Sequence, residues 1–162
     1  MDQVLDGNDV EHSMELEKLL HYRVQRLASK MTLITSREVL AGSGVHIGEW
    51  RLICLLKENG QANHTAISQK LALDPGRTSK LLKAAERKEF VRRTSDPSDG
   101  RASIFELTDS GFEVFDQLWP LANSVADDFH SQFGVRELEQ LNSMLDRAIK
   151  YANERIQSDR TD

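Results

Sequence analysis

The 162 residues fit one domain of ordinary size, and we expect no separate catalytic domain beside it. Hydrophobic residues make up 39% and charged residues 29% of the chain, as in ordinary globular proteins, so the functional class must come from the sequence pattern. The single cysteine, Cys54, excludes an internal disulfide and a cysteine-based zinc site. Residues 1–17 are acidic and contain no apolar run of signal-peptide or membrane-span length, which predicts a cytoplasmic protein without a membrane segment.

The net charge of −5 is unevenly distributed along the chain. Residues 75–101 include eight basic and four acidic side chains, a local charge of +4, which leaves −9 for the remaining residues. A basic segment in an acidic protein is typical of a surface that contacts DNA phosphates, but it is also common on solvated helix faces. Charge alone leaves both interpretations open.

The N-terminal part of the chain is predicted to be helical. Over residues 13–40, apolar side chains recur at spacings of three and four, as on one side of a long helix. These side chains are Leu16, Leu20, Val24, Leu27, Met31 and Ile34. Gly42 and Gly44 interrupt the pattern, and residues 47–58 then form a second helix that is apolar on nearly every side. We expect this second helix to be the buried centre of the fold.

Two short helices are predicted next. Gly60 ends the preceding helix, and Asn63 or Thr65 can cap a helix that ends near residue 71. Asp74 followed by Pro75 is typical of an N-cap and a first helical position, and it predicts a helix that runs to about residue 88. Two short helices joined by a tight turn, the second opening with small and basic residues, match the helix-turn-helix pattern.

The C-terminal half is predicted to contain a β-hairpin and two helices. Residues 90–94 and 102–107 have the composition of short strands, and the turn-forming residues 96–100 separate them. Thr108 is expected to cap a helix that reaches about residue 133 and that Pro120 kinks or breaks. Gly134 separates it from a last helix with a long apolar stripe. The stripe consists of Val135, Leu138, Leu141, Leu145, Ile149, Ala152 and Ile156.

The predicted fold is mainly α with a small β-hairpin wing: a winged helix-turn-helix inside a helical dimerisation framework. Residues 47–108 form the winged helix-turn-helix, and residues 13–46 and 109–158 form the dimerisation region. Residues 1–12 and 159–162 are expected to be tails. The terminal helices have more apolar surface than one chain of this size can bury, which favours a homodimer, the commonest closed assembly. The alternative is that the two apolar stripes pack on each other within a monomer.

From about residue 16 to residue 156 the chain resembles the multiple-antibiotic-resistance regulator (MarR) family. The most specific similarity is to the family's Asp-x-x-Asp-x-Arg wing and its Leu-Thr-x-x-Gly helix start. The residues that carry it are Asp96-Pro97-Ser98-Asp99-Gly100-Arg101, Leu107-Thr108 and Gly111, supported by Trp50-Arg51 and Leu71-Ala72-Leu73-Asp74. The chain departs from the family in two places, because Glu89 stands where many members have glycine and the recognition helix opens Pro75-Gly76-Arg77.

The resemblance implies a homodimer whose two winged-helix lobes bind successive major grooves of an inverted repeat in double-stranded DNA. It further implies a transcriptional regulator, usually a repressor, that a small molecule releases from its operator. Aromatic acids are frequent effectors in the family. Neither an enzymatic activity nor a cofactor is expected.

The opening turn of the recognition helix supplies the first candidate DNA contacts. They are Pro75, Gly76, Arg77, Ser79 and Lys80. Arg77 is the candidate for a bidentate guanine contact, because a guanidinium matches the O6 and N7 acceptors. The alternative is an Arg77 that contacts only phosphate. The opposite face is expected to be core and consists of Thr78, Leu81, Leu82 and Ala85.

The hairpin supplies the second group of candidates. Asp99 can lock the wing so that Arg101 enters a narrow minor groove, where an arginine responds to groove shape more than to base sequence. The alternative is that Arg101 only stabilises the hairpin by pairing with its aspartates. Arg92 and Arg93 are candidates for phosphate contacts or for plain surface charge.

An effector site is expected, from the resemblance, where the dimerisation helices meet the winged-helix lobe. Arg23 can pair with a carboxylate, His46 can form a hydrogen bond and Trp50 can stack on an aromatic ring. The alternatives are a surface arginine, a loop histidine and a core tryptophan. Cys54 lies in an apolar run and is expected to be a core residue rather than a redox sensor. The five histidines show no metal-ligand spacing, so no metal site is predicted.

Two other functional classes compete with the regulator. A winged helix used only as a protein-interaction module would show no salt-dependent DNA affinity. A winged-helix part of an enzyme would need a catalytic domain that this sequence does not contain.

Overall fold

The computed structural model describes residues 15–95 and 103–158, and its elements follow the predicted order. The helices are α1 (Leu20–Ile34), α2 (Ile47–Asn59), α3 (His64–Lys70), α4 (Pro75–Arg87), α5 (Asp109–His130) and α6 (Val135–Ser158), and the strands are β1 (Gln61–Asn63), β2 (Val91–Ser95) and β3 (Ser103–Leu107). The first long helix is less uniform than expected. A 3₁₀ turn (Leu16–Lys18) precedes α1, and a π-helical turn (Thr35–Val39) follows it. The tails 1–12 and 159–162 and the wing turn 96–100 lie outside the described residues.

Helix α2 is the centre of the core, as predicted. Its Leu52, Ile53 and Leu56 are among the most deeply buried side chains of the chain. His46 caps its start, because Nδ1 accepts from the Gly48 N–H at 3.2 Å while the His46 N–H donates to Glu49. Gly60 ends the helix with a φ of 73°, a left-handed conformation that favours glycine.

A short chain of hydroxyl hydrogen bonds fixes α3 against α4. The Ser68 hydroxyl donates to Thr78 Oγ1 at 2.8 Å, and the Thr78 hydroxyl donates to the Asp74 carbonyl at 3.0 Å. Thr78 is fully buried, so these bonds satisfy a polar group that would otherwise destabilise the core. Leu82 and Ala85 are also buried and Leu81 is partly buried, which confirms the predicted inner face of α4.

The sheet has three antiparallel strands in the order β1-β3-β2, and only the β2–β3 hairpin was predicted from the sequence. β1 is three residues long and pairs with the central strand β3. In the hairpin Arg92 lies opposite Glu106, and Arg93 lies opposite Phe105. Because neighbouring side chains of a strand point to opposite faces, Arg92 and Arg93 lie on different sides of the sheet.

Helix α5 begins at Asp109, where Thr108 is its predicted cap and accepts from the Gly111 N–H at 3.1 Å. The helix passes through Pro120 without interruption, so the expectation of a break there is wrong. A proline removes only one backbone donor, and a helix of 22 residues retains the bonds on either side. It ends at His130, three residues earlier than predicted.

The outer helices leave much of their apolar surface uncovered. Neither α1 nor α6 has a fully buried residue among those described. The exposed apolar side chains include Leu20, Val24, Leu27 and Leu33 on α1 and Val135, Leu145, Ile149 and Ile156 on α6. Within residues 15–95 and 103–158, no helix is long and apolar enough to cross a membrane.

Candidate nucleic-acid interface

The first turn of α4 is organised by Asp74. Its Oδ1 accepts from the Arg77 backbone N–H at 2.9 Å, and this hydrogen bond, with the nearby Arg77 guanidinium, lowers the pKa of the Asp74 carboxyl. Oδ2 lies 3.2 Å from Arg77 Nε. The Arg77 side chain is nevertheless 77% exposed, so Asp74 orients it without burying it. Gly76 leaves room for this cap, because a Cβ there would lie 3.2 Å from Asp74 Oδ1.

The exposed face of α4 is basic along its length. Lys80, Lys83 and Arg87 are exposed and follow one another at spacings of three and four, so they lie on one side of the helix. They lie away from the buried Thr78, Leu82 and Ala85. Lys83 and Arg87 were not among the sequence-predicted contacts. The helical spacing of the apolar core positions in the sequence would have placed both residues on the exposed side of the helix.

Ser79 lies at the edge of this face, turned toward α3. Its Oγ lies 3.0 Å from Nε2 of the half-buried His64. Ser79, Lys83 and Glu86 line a cleft between α4 and the sheet, together with Arg93 of β2. Sequence analysis missed His64, because only the fold brings the two helix positions together.

The two arginines of β2 occupy different surroundings. Arg93 faces the α4 side and donates from Nε to Ser103 Oγ at 2.7 Å. Arg92 faces the other side and donates to Glu106 Oε1 at 2.8 Å, a hydrogen bond that raises the pKa of its guanidinium. Only Arg93 therefore adds positive charge next to the basic face of α4. The wing candidates Asp99 and Arg101 lie outside the described residues.

An ion pair between a half-exposed lysine and a buried glutamate links the end of α4 to the start of α2. Lys88 Nζ lies 2.7 Å from Oε2 of Glu49, whose side chain is 4% exposed, and 2.8 Å from the Gly44 carbonyl oxygen. The same Glu49 oxygen accepts from the His46 N–H at 2.8 Å. Residues 44–49 are thus connected by hydrogen bonds to the end of α4. The sequence separation of 39 residues between Glu49 and Lys88 explains why sequence analysis missed this pair.

The three candidate effector residues have different settings. Arg23 is exposed on α1, His46 caps α2, and Trp50 is buried in the core. The Trp50 ring stacks on Phe115, with 5.8 Å between ring centroids. His46 and Trp50 thus have structural roles, and their contact with an effector stays a prediction.

A row of aromatic rings leads from Trp50 to the surface. Phe115 stacks in turn on Trp119, with 5.2 Å between centroids, and Trp119 is 48% exposed. Lys57 Nζ lies 4.8 Å from the Phe112 ring centroid and 5.1 Å from that of Phe115. Lys57 Nζ also lies 4.0 Å from Asp116 Oδ1, so a planar anion that stacks on these rings would compete with this carboxylate for the ammonium.

Cys54 is partly buried in α2, among the core residues expected around it. Burial raises the pKa of its thiol to about 11. A thiolate is the form that reacts with oxidants, so this environment opposes a redox role. In the part of the chain that the structure describes, no group of three histidine, cysteine or carboxylate side chains is placed to hold a metal ion.

The chain is similar to known transcriptional regulators in sequence. The model of the MarR family matches residues 45–103. YkoM, an HTH-type transcriptional regulator of Bacillus subtilis, is 29% identical over 141 residues, which are 86% of this chain and 88% of that protein.

Two solved structures share the fold. The PcaV transcriptional regulator of Streptomyces coelicolor, in complex with its natural ligand, superposes with a TM-score of 0.75 at 18% identity, over 86% of this chain and 98% of that one. A mutant MarR of E. coli, complexed with operator DNA, superposes with a TM-score of 0.68 at 17% identity, over 78% and 91% of the two chains. Residues 45–103 thus match the MarR family, and the chain as a whole is similar in sequence to HTH-type transcriptional regulators and in fold to MarR-type structures.

Proposed function

We propose that this chain is a repressor that binds an inverted-repeat operator as a homodimer and leaves it when a small molecule binds. Residues 47–108 contact DNA, and residues 13–46 and 109–158 hold the dimer together. The alternative, a winged helix that binds only proteins, does not explain why the exposed side of α4 is basic.

The observation that carries the proposal is the exposed face of α4. Lys80, Lys83 and Arg87 form a basic stripe, and Arg77 extends from the capped first turn, where backbone N–H groups and the helix dipole favour phosphate. A helix of this kind, held by α3 in a helix-turn-helix, enters the major groove. Arg93 stands beside it on the sheet and Arg101 follows in the wing, both as candidates for backbone or minor-groove contacts.

The uncovered apolar faces of α1 and α6 support the homodimer. Each helix carries a stripe that the described chain leaves largely in solvent, so the alternative of stripes buried against each other within a monomer gains no support. A second copy supplies a matching pair of stripes. Two recognition helices related by a two-fold axis then fit the two halves of an inverted repeat.

The effector is inferred to be an aromatic acid that binds near Trp119 and Lys57. Trp119 offers an exposed ring, and Lys57 offers a cation above the neighbouring rings. PcaV was solved with its natural ligand, which shows that this fold can hold a small molecule. Titration with 4-hydroxybenzoate should quench tryptophan fluorescence in the native protein and less so in the Lys57→Met variant. Equal responses of the two proteins would place the effector elsewhere.

DNA binding is tested by the salt dependence of affinity for a labelled random-sequence duplex, measured by fluorescence anisotropy. Replacing Lys80, Lys83 and Arg87 by glutamine should reduce the slope of log K against log salt by about three, since each phosphate contact contributes about 0.9. A matched control replaces Lys18, Arg147 and Lys150, which are exposed far from α4 in the sequence.

The control has the same net charge as the α4 variant, so it separates local contacts from overall charge. It should keep the native slope. A native protein without any salt dependence would contradict DNA binding, and equal losses in both variants would contradict the role of α4.

A further inference from the structure

We propose that His64 is a positioning residue that decides whether Ser79 offers DNA a hydrogen-bond donor or an acceptor, so that base preference at the Ser79 contact changes with pH. This inference rests on the proposed DNA-binding function and goes beyond it, because His64 need not touch DNA itself.

The geometry brings the two side chains together from different helices. His64 is the first residue of α3, directly after the Asn63 cap, and Ser79 lies in the second turn of α4. Nε2 and Oγ are 3.0 Å apart, and both residues are half-buried, so the contact is partly shielded from water. Ser79 keeps part of its surface exposed at the edge of the basic face.

The chemistry of the pair gives Ser79 two states. A serine hydroxyl has one proton and two lone pairs, and it rotates to suit its partner. When Nε2 carries no proton, Ser79 donates to it and presents only lone pairs to DNA, which suits the amino group of adenine or cytosine. When Nε2 is protonated, it donates to Ser79, and the hydroxyl proton is free for guanine O6 or N7.

We assign the uncharged ring to the Nδ1–H tautomer, so that gain of a second proton, on Nε2, reverses the direction of the hydrogen bond to Ser79. Histidine side chains change charge between pH 5 and 8, and the charged form always carries a proton on Nε2. The charged groups of the described residues that line the same cleft are Lys83 and Glu86 of α4 and Arg93 of β2.

The test is selection of bound fragments from a random duplex pool at pH 6.0 and pH 8.0, at one fixed salt concentration. In the native protein the ratio of guanine to amino-bearing bases at one position per half-site should change about fivefold between the two pH values. In S79A and in H64Q that position should show no change with pH. Glutamine keeps a polar side chain of similar reach but does not titrate.

Nitrogen-15 NMR of the histidine rings tests the contact without DNA. The S79A substitution should alter the ring-nitrogen shifts and the titration of His64 and leave those of His130 unchanged. Identical His64 signals in both proteins would refute the inference, as would a pH-dependent preference that survives in S79A. If the native protein enriches DNA with the same base preference at both pH values, the His64 inference is refuted and the proposed DNA binding stands. If no DNA is enriched under any condition, the proposed function is refuted as well.

Discussion

At Gly111, the start of α5 passes very close to the chain that leaves α4. A Cβ on this residue would lie 2.1 Å from the Phe90 carbonyl oxygen, which also accepts from the Thr108 N–H at 3.1 Å. The Thr108 hydroxyl donates to the Glu89 carbonyl and at the same time caps α5. The Leu-Thr-x-x-Gly pattern thus has a physical cause, since glycine alone allows this approach.

We predict that Gly111→Ala lowers the free energy of unfolding by about 3 kcal/mol, because the backbone must shift to admit the methyl group. Gly134→Ala is the matched control, since its Cβ would meet only the flexible Glu137 side chain at 3.4 Å. Urea denaturation of both variants measures the difference. A Gly111→Ala protein as stable as the control would show that the contact relaxes without cost.

The Cys54 thiol is predicted to react slowly in the native protein. With a pKa of about 11 instead of 9.0, the fraction present as thiolate at neutral pH is lower by roughly a hundredfold. Because burial favours the protonated form, the reaction should accelerate as pH rises toward 11. Absorbance with a disulfide reagent follows this single cysteine, with the guanidinium-unfolded chain as the fast control. Equal rates in both states would contradict the burial argument.

Residues that act through local backbone geometry could be predicted from the sequence, and residues that act through tertiary contact could not. Asp74 and Thr108 cap their helices as expected, because a cap bonds to backbone only three residues away. His64 and Ser79 meet across the helix-turn-helix, and no spacing rule indicates that contact.

At the scale of elements, the Glu49–Lys88 pair joins two helices that otherwise meet through apolar packing. Glu49 also receives the His46 N–H, so its carboxylate serves both the α2 cap and the end of α4. The loop before α2 is therefore joined to the end of α4 through Lys88. An effector that displaced this loop would have a direct route to α4.

We predict that Lys88→Met destabilises the fold by about 2 kcal/mol. Loss of one partner from a buried pair costs about 3–5 kcal/mol, and the 40% exposure of Lys88 reduces that figure through solvent screening. Lys150→Met is the control, because it removes an exposed ion pair within α6, in which Lys150 Nζ lies 4.0 Å from Glu154 Oε1. It should change the free energy of unfolding by less than about 0.5 kcal/mol. Thermal unfolding compares the two, and similar small losses would show that water already screens Glu49.

The sequence indicated the six α-helices of the described residues, but not the 3₁₀ and π-helical turns that flank α1 or the shortest strand, β1. A strand of three residues shows too little alternation to be distinguished from a loop, and β1 forms only because β3 offers it an edge. Pro120 was expected to kink or break α5, and the break does not occur: the helix packs against α2 and the π-helical turn and is continuous through Pro120. In both cases, the formation of β1 and the continuity of α5, tertiary contacts determined a structure that local propensity did not.

The exposed apolar faces of α1 and α6 are the basis of the proposed homodimer. We predict that Ile149→Glu weakens the dimer at least about tenfold, because it places a charge in the apolar stripe of α6. Gln140→Glu adds the same charge to another exposed side of α6 and should leave the dimer intact. Sedimentation distinguishes the 18.4 kDa monomer from a dimer. A native protein that sediments as a monomer at all concentrations would contradict the assembly.

In the proposed complex, two copies of α4 bind the two halves of an operator. This is tested by selecting bound fragments from genomic DNA with the purified protein and with Arg77→Ala, at fixed near-physiological salt. We expect an inverted repeat with half-site centres about one helical turn apart, and a loss of preference at one position per half-site in the variant. Recovery of no common sequence, once any copurified small molecule has been removed, would contradict it.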